Sequence, residues 1–203
     1  MKVFKNIIIS LLTLAAVLSL CIFLFINFCC GKVVVEGSSM NPTLTTGELG
    51  LFIKKDNIFS NIKRNDIIIF DGELDNKDEL LIKRVVGLPG DELEIHMDGS
   101  ITINDEKLDQ SYIDELTIRA TYNPLNILTN KMTLKEDEYY VLGDNRLVSL
   151  DSRIFGPIKE SQIKGEYKLT YGRWNNYDKN EHKGSDKSIF PLKWFMEDLK
   201  WNF

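Results

Sequence analysis

The sequence predicts an all-β region of antiparallel sheets, tethered by one N-terminal transmembrane α-helix. One long uncharged segment lies near the start of the 203-residue chain. The segments after it are short, rich in β-branched and aromatic residues, and bounded by Gly, Asn or Asp, as strands are. The length suits one or two compact domains. A net charge of −5 gives no sign of a basic surface, so no nucleic-acid partner is expected.

The segment NIIISLLTLAAVLSLCIFLFINFCCG (6–31), between Lys5 and Lys32, predicts the membrane span. At about 1.5 Å per residue it is long enough to cross a hydrocarbon core of about 30 Å, and a helix satisfies its own backbone there. The apolar run exceeds the roughly 7–15 residues of a cleavable signal peptide's apolar region, and no small-x-small site ends it. We therefore interpret residues 1–31 as an N-terminus with an uncleaved anchor.

The charges beside the span favour one orientation. Lys2 and Lys5 precede it, which predicts a cytoplasmic N-terminus and an extracytoplasmic remainder in a single-pass protein of the plasma membrane. The three cysteines, Cys21, Cys29 and Cys30, lie in the span or at its end. Packing in the membrane is the simplest interpretation of them, and lipidation of Cys29 or Cys30 is the alternative.

Strand-like segments follow the span. They are LGLFIKK (49–55), NDIIIF (65–70), ELLIKRVVG (79–87), EYYVL (138–142) and GEYKLTYG (165–172). In ELEIHMDGSITIND (92–105), apolar residues alternate on both sides of Asp98-Gly99, which predicts a hairpin with a two-residue turn. Residues 104–135 have fewer apolar runs and are interpreted as an excursion from the sheet. The aromatic segment SIFPLKWFMEDLKWNF (188–203) fits a helix on the membrane surface or one packed on the domain.

The segment GSSMNPTL (37–44) raises the possibility of a serine nucleophile, which needs a group to take its proton. His96 lies inside the hairpin pattern and His182 in a polar run, so neither supports a Ser-His-Asp arrangement. Two distant histidines and no cysteine beyond the span form no recognisable metal site. No metal and no cofactor are expected.

Lysine is the other candidate base. Lys83 shares a strand face with Leu81 and Val85, and burial there would lower its pKa so that the neutral amine can accept a proton. The same pattern also fits a lysine on an edge strand that discourages aggregation. The local pattern alone does not decide between these interpretations.

Three segments together resemble bacterial type I signal peptidases, and the short spacing between the last two resembles the Gram-positive kind. They are GSSMNPTL (37–44), KRVVGLPGD (83–91) and GDNRLVSLDSRIFG (143–156), in this order behind one apolar span. The resemblance implies a signal-peptidase-like fold with a β-rich catalytic core of residues 32–92 and 136–171. It also implies a small inserted β accessory region at 93–135, whereas the tail 172–203 matches nothing in the family.

The resemblance assigns roles to the matching residues. Ser39, directly before methionine, would be the nucleophile, Lys83 its general base, and Ser149 would orient the lysine through a hydrogen bond. Backbone N–H groups of Ser39 and Gly37 would form the oxyanion hole, because Gly37 stands where some proteobacterial relatives have a serine. The residues that would support the structure of the site are Met40, Pro42, Asp144, Asn145, Asp151 and Arg153.

The implied function is that of a membrane-bound serine endopeptidase. It would remove N-terminal signal peptides from secreted preproteins, cutting after small-x-small sites through an acyl-enzyme, with the preproteins and the lipid bilayer as partners. Self-cleaving repressor proteases carry a DNA-binding domain instead of a span, and the microsomal and archaeal branch has histidine in place of Lys83. The alternative from another class is a membrane-tethered β-domain that binds partners without catalysis.

Overall fold

The structure is a computed structural model that describes residues 2–55, 62–74, 77–122, 131–178 and 183–185. Its elements in chain order are α1 (Lys2–Cys29), β1 (Cys30–Val34), β2 (Glu48–Lys54), β3 (Ile67–Leu74), β4 (Lys77–Gly87), β5 (Glu92–Ile95), β6 (Ile101–Ile103), β7 (Glu106–Lys107), α2 (Glu115–Arg119), β8 (Met132–Thr133), β9 (Glu138–Leu142), α3 (Ser152–Phe155), β10 (Ile158–Lys159), a 3-10 turn (Glu160–Gln162), β11 (Ile163–Arg173), β12 (Asn175–Asp178) and β13 (Lys183–Ser185).

The helix α1 corresponds to the predicted span. Its segment Val3–Cys29 has 27 residues and a mean hydropathy of 2.9, so it is long and apolar enough to cross a membrane. The helix ends two residues before the predicted span does, because Cys30 and Gly31 already belong to β1. Their backbones pair with β2, with Cys30 opposite Ile53. This pairing holds the two residues in an extended strand, whereas the apolar pattern alone predicted that the helix continues.

A seven-stranded antiparallel sheet forms the larger β unit, in the order β1-β2-β11-β3-β4-β9-β10. Strand β3 pairs along its whole length with residues 77–84 of β4, which places Lys83 opposite Ile68 near the middle of the sheet. The predicted fold class, antiparallel sheets behind one apolar helix, is confirmed. Lys83 is therefore on a central strand, and the edge-strand interpretation of this lysine is wrong.

Apolar clusters cover both faces of β4. Leu81 and Val85, the neighbours of Lys83 on its own face, belong to one cluster with Ile68 and Phe70. On the opposite face, Ile82 packs against a second cluster. Lys83 thus stands in apolar surroundings.

A four-stranded sheet, in the order β7-β6-β5-β8, packs on the larger one through a shared cluster. This cluster joins Val86 of β4 and Leu142 of β9 to Leu93 and Ile101 of the smaller sheet. The packing holds the chain that follows β7 close to the end of β9. That end leads into the third motif.

The predicted two-residue turn at Asp98-Gly99 is wrong. Ile95 pairs with Ile101, so the continuing ladder leaves residues 97–99 as a three-residue loop. Gly99 has φ 82°, the left-handed conformation that closes loops of this length. Met97, which the alternation placed among the apolar strand residues, is 84% exposed.

The described part of the C-terminal tail forms a small sheet. Strands β12 and β13 pair as a two-stranded antiparallel sheet. The aromatic segment 188–203 and His182 lie outside the described residues, so the placement of that segment stays a prediction. The domain boundaries at residues 92 and 136 also stay predictions.

Candidate active site

The nucleophile candidate lies in the loop between β1 and β2. Met40 is buried with Val35 and Leu44 and fixes this loop to the sheet, and the Asn41–Pro42 peptide bond is cis. Beside the buried Met40, Ser39 is half-buried and Ser38 is exposed. The loop therefore turns Ser39, not Ser38, toward the protein.

Lys83 meets this serine from β4. Its side chain is buried, and its Nζ donates hydrogen bonds to Ser39 Oγ at 2.9 Å and to the Ile82 carbonyl at 3.0 Å. Burial lowers the pKa of Lys83 from 10.5 to about 8, while the carboxylate of Asp151 acts in the opposite direction by favouring the charged amine. Near pH 8 a large fraction of the amine is neutral, and the same contact lets it accept a proton from the hydroxyl.

The third motif follows β9 and closes against the nucleophile loop. The Asn145 N–H donates to the Ser39 carbonyl at 2.9 Å. A Cβ atom at Gly143 would lie 2.2 Å from Ser149 Oγ and 2.5 Å from Ser39 O. Only glycine permits this approach, so Gly143 brings the two loops together.

Ser149 lies beside Gly143 and is buried. Its hydroxyl has no hydrogen-bond partner among the residues that the structure describes. The Lys83 amine is bonded to Ser39 and Ile82 instead. The hydrogen bond from Ser149 to Lys83 is therefore not among the contacts seen here, and its orienting role stays a prediction.

Two buried ion pairs fix the third motif. Asp144 accepts from Arg84 Nε at 2.8 Å and from a terminal nitrogen at 2.7 Å. Asp151 accepts from Arg153 Nε at 2.8 Å and from a terminal nitrogen at 2.9 Å, and also from the Gly143 N–H at 3.0 Å. Paired bonds of this kind hold both geometry and charge. Asp151 thereby connects the wall of the site to the glycine at its centre.

The sequence reasoning missed Arg84 and Arg146. Arg146 is buried, and its guanidinium donates to oxygen atoms of Gly143, Gln110, Thr121 and Tyr112 at 2.9, 2.8, 2.6 and 3.0 Å. Burial lowers the pKa of this arginine. The partners show that residues 110–121, interpreted as an excursion, form the back of the third motif. The sequence signal that could have identified Arg146 is its position inside the third motif, whose other charged residues are also buried.

The backbone at the expected oxyanion hole is open. Gly37 has φ 78°, and a Cβ atom there would meet nothing within 4 Å. Within the described part of the chain, no hydrogen bond uses the Ser39 N–H. For metals, the described ranges contain no group of three or more His, Cys, Asp or Glu that could hold an ion.

Known proteins resemble this chain over most of its length. The model of the family described as signal peptidase, peptidase S26 matches residues 6–174. Signal peptidase I of Bacillus caldolyticus is 39% identical over 161 residues, covering 76% of this chain and 84% of the relative. Signal peptidase I V of Bacillus subtilis strain 168 is 38% identical over 137 residues, covering 64% and 79%. A crystal structure of a signal peptidase I from Enterococcus faecalis V583 is 30% identical with a TM-score of 0.41, covering 54% of this chain and 97% of that one.

The family match extends over most of the chain, and it joins the apolar helix, the antiparallel sheets and all three motifs in one family. The chain therefore belongs to the signal peptidase family, peptidase S26, in its bacterial type I branch. The family predicted from the three motifs is confirmed, as is the prediction of a hydrolase of this kind.

Proposed function

We propose that this chain is a membrane-bound serine endopeptidase that removes signal peptides from secreted preproteins by a Ser39/Lys83 dyad. The observation that carries the proposal is the 2.9 Å contact between Lys83 Nζ and Ser39 Oγ, made by an amine whose burial lowers its pKa to about 8. The relatives named Signal peptidase I support the substrate class. Cleavage after small-x-small sites follows from the same resemblance.

In the proposed mechanism, neutral Lys83 takes the hydroxyl proton of Ser39 as Oγ attacks the carbonyl carbon of the scissile peptide bond. The N–H groups of Ser39 and Gly37 stabilise the oxyanion. The C–N bond then breaks, the leaving amine takes the proton from Lys83, and an ester remains on Ser39. Lys83 next takes a proton from a water molecule as the water oxygen attacks the ester carbonyl. The C–O bond to Ser39 then breaks and Lys83 returns the proton to Oγ, which restores the serine and the neutral amine. No metal or cofactor enters these steps.

The remaining motif residues support this chemistry in the proposal. Ser149 would orient the lysine once substrate is bound. Met40 and Pro42 shape the nucleophile loop. Residues Asp144, Asn145, Asp151 and Arg153 hold the third motif against it through the contacts described above.

The fold also suggests how an extended substrate would approach. Strand β1 is the first strand of the larger sheet, paired on one side with β2, and it leads into the Ser39 loop. A peptide added along the other side of β1 would carry its alternate side chains into pockets of one face and a carbonyl toward Ser39.

The third motif has an outer surface suited to a bilayer. Its apolar side chains Leu147, Val148, Leu150 and Ile154, here called the apolar ridge, are between 49% and 74% exposed, whereas its ionic side chains are buried. This reverses the usual distribution of polar and apolar groups. The candidate span α1 continues into β1 without an intervening residue, so the sheet that carries Ser39 is held close to the membrane. We attribute the outward apolar ridge to contact with that membrane.

Lipid contact at the apolar ridge is a testable consequence. In full-length protein with Cys21, Cys29 and Cys30 replaced by alanine, an environment-sensitive fluorophore is attached to Leu147→Cys or, as a matched control, to Leu116→Cys. The two leucines are equally exposed, 74% and 76%, but Leu116 lies on α2. In phosphatidylglycerol/phosphatidylcholine vesicles, the probe at 147 is expected to shift to the blue and to be quenched by nitroxide lipids. The probe at 116 should remain as in water.

Two outcomes of this experiment separate anchor from ridge. Protein that fails to float with the vesicles would refute α1 as a membrane anchor. Protein that floats but shows equal quenching at both positions would refute the apolar ridge as a lipid-contacting surface.

The proposed function itself is tested by cleavage. The full chain in detergent is incubated with a preprotein that has alanine one and three positions before its cleavage site, and the product N-terminus is sequenced. We expect one cut after the small-x-small site, and none when a bulky residue replaces the alanine next to the cut. If well-folded protein leaves the preprotein intact, the alternative, a membrane-tethered β-domain that binds without catalysis, becomes the better account.

A further inference from the structure

We infer that Tyr112, in the predicted accessory region, is a positioning residue that clamps the lysine strand to the third motif. The inference extends the proposed function, since it concerns the same Ser39/Lys83 site. Tyr112 itself lies outside the three motifs and touches none of the reacting atoms proposed above.

Tyr112 contacts one arginine from each side of the site. The Arg84 guanidinium carbon lies 4.2 Å from the centre of the Tyr112 ring, a cation–π contact. The Tyr112 hydroxyl accepts a hydrogen bond from Arg146 at 3.0 Å. Burial raises the pKa of this phenol, so it stays neutral and keeps both contacts at physiological pH.

Each of these arginines is one step from the reacting groups. Arg84 follows Lys83 directly on β4, and it binds Asp144 of the third motif. Arg146 binds the carbonyl of Gly143, the residue that lies between Ser149 Oγ and the Ser39 carbonyl. One side chain therefore braces both walls of the site.

The contact to Arg146 matters because this cation is held by neutral groups. No carboxylate of the described residues lies within ion-pair distance of Arg146; its partners are the oxygens of Gly143, Gln110, Thr121 and Tyr112. A buried cation is tolerated when its donors are satisfied, and removing one acceptor leaves a desolvated N–H. Loss of the Tyr112 oxygen is therefore relieved by movement of Arg146 and of the loop it holds.

Movement of the loop that Arg146 holds increases the exposure of Lys83 to water. The amine is bonded to the Ser39 hydroxyl and the Ile82 carbonyl, and the charged group that acts on it from the neighbouring loop is Asp151. The guanidinium of Arg84, the next residue along β4, donates a hydrogen bond to Asp144. Since burial is what lowers the pKa of Lys83, opening the loop returns this pKa toward that of a solvated lysine.

The test measures the titration of Lys83 directly, without relying on catalysis. Full-length wild type, Tyr112→Leu and Tyr112→Phe are acetylated with a trace of acetic anhydride at a series of pH values, and the peptide containing Lys83 is quantified by mass spectrometry. Tyr122→Leu is the matched control, the same change at another tyrosine of this region. Preprotein kcat/KM and thermal midpoints are measured on the same samples.

We expect the apparent pKa of Lys83 to rise by at least about half a unit in Tyr112→Leu, with the acid limb of kcat/KM moving in parallel and activity partly recovered at higher pH. Tyr112→Phe, which keeps the ring over Arg84, should shift less, and Tyr122→Leu should not shift.

Unchanged Lys83 titration in folded Tyr112→Leu would overturn the inference, whatever its thermal midpoint. If Tyr112→Leu does not fold, an unchanged titration in Tyr112→Phe overturns it instead. If Tyr112→Leu shifts the pKa of Lys83 but the wild-type protein cleaves no preprotein, the proposed function is refuted and the inference about Tyr112 stands.

Discussion

Lys83→Met and Ser39→Ala are each expected to lower kcat/KM for preprotein cleavage by at least about a thousandfold. Methionine keeps the length and apolar character of the lysine stem but cannot accept a proton, and alanine removes the attacking oxygen. Cleavage is followed in detergent with one preprotein and with matched amounts of folded enzyme. Ser38→Ala is the control, since Ser38 is exposed beside the nucleophile and should leave the rate within a few-fold.

The stability of Lys83→Met provides a second control. Holding the amine at a pKa of about 8 instead of 10.5 costs the folded state about 3 kcal/mol at neutral pH. This cost is full below pH 8 and disappears above pH 10.5, because the folded-state pKa is the lower one. Lys83→Met should therefore unfold at a higher temperature than wild type while being inactive. Retention of more than a tenth of the activity would mean that another group is the base.

Asp151→Ala is expected to lower the free energy of unfolding by about 3–5 kcal/mol, the usual result of breaking one side of a buried ion pair. The change leaves the buried Arg153 guanidinium without its carboxylate and the Gly143 N–H without its acceptor. Thermal and urea unfolding in detergent measure the effect. Cleavage should fall as well, since Gly143 would no longer be held against Ser39.

The matched control for this prediction is Glu160→Ala. Glu160 forms a surface ion pair with Lys55 at 3.2 Å, and removing a pair of that kind should cost less than about 1 kcal/mol. Equal losses in the free energy of unfolding would show that the buried ion pair of Asp151 stabilises the fold no more than a surface pair does.

The sequence predicted the strands better than it predicted where they begin and turn. The β-branched and apolar composition identified the strand around Lys83 but not its central position, which only the pairing of β4 with β3 and β9 shows. The apolar pattern failed at Cys30, because an apolar helix and an apolar strand can have the same composition. Only the backbone pairing of Cys30 with Ile53 distinguishes them. The Asp98-Gly99 turn failed for a related reason. The same dipeptide closes two- and three-residue loops, and the packing of Ile95 and Ile101 selects the register.

The candidate site shows a similar limit. Local pattern left Lys83 undecided, and the resemblance of three motifs was needed to pair it with Ser39 across 44 residues of chain. Arg84 and Arg146 were missed because a charged residue looks solvent-exposed until its distant partners are known. Tyr112 was missed because the two arginines that it contacts lie far from it along the chain.

The pH dependence of kcat/KM for preprotein cleavage tests the central claim, that neutral Lys83 is the base for Ser39. Because the base must be deprotonated, the rate should rise with pH and level off above an apparent pKa near 8. Lys83→Met, assayed at high enzyme concentration, should lack this limb. A wild-type limb near pH 6.5, the ordinary value for histidine, or a limb that persists in Lys83→Met would contradict the assignment.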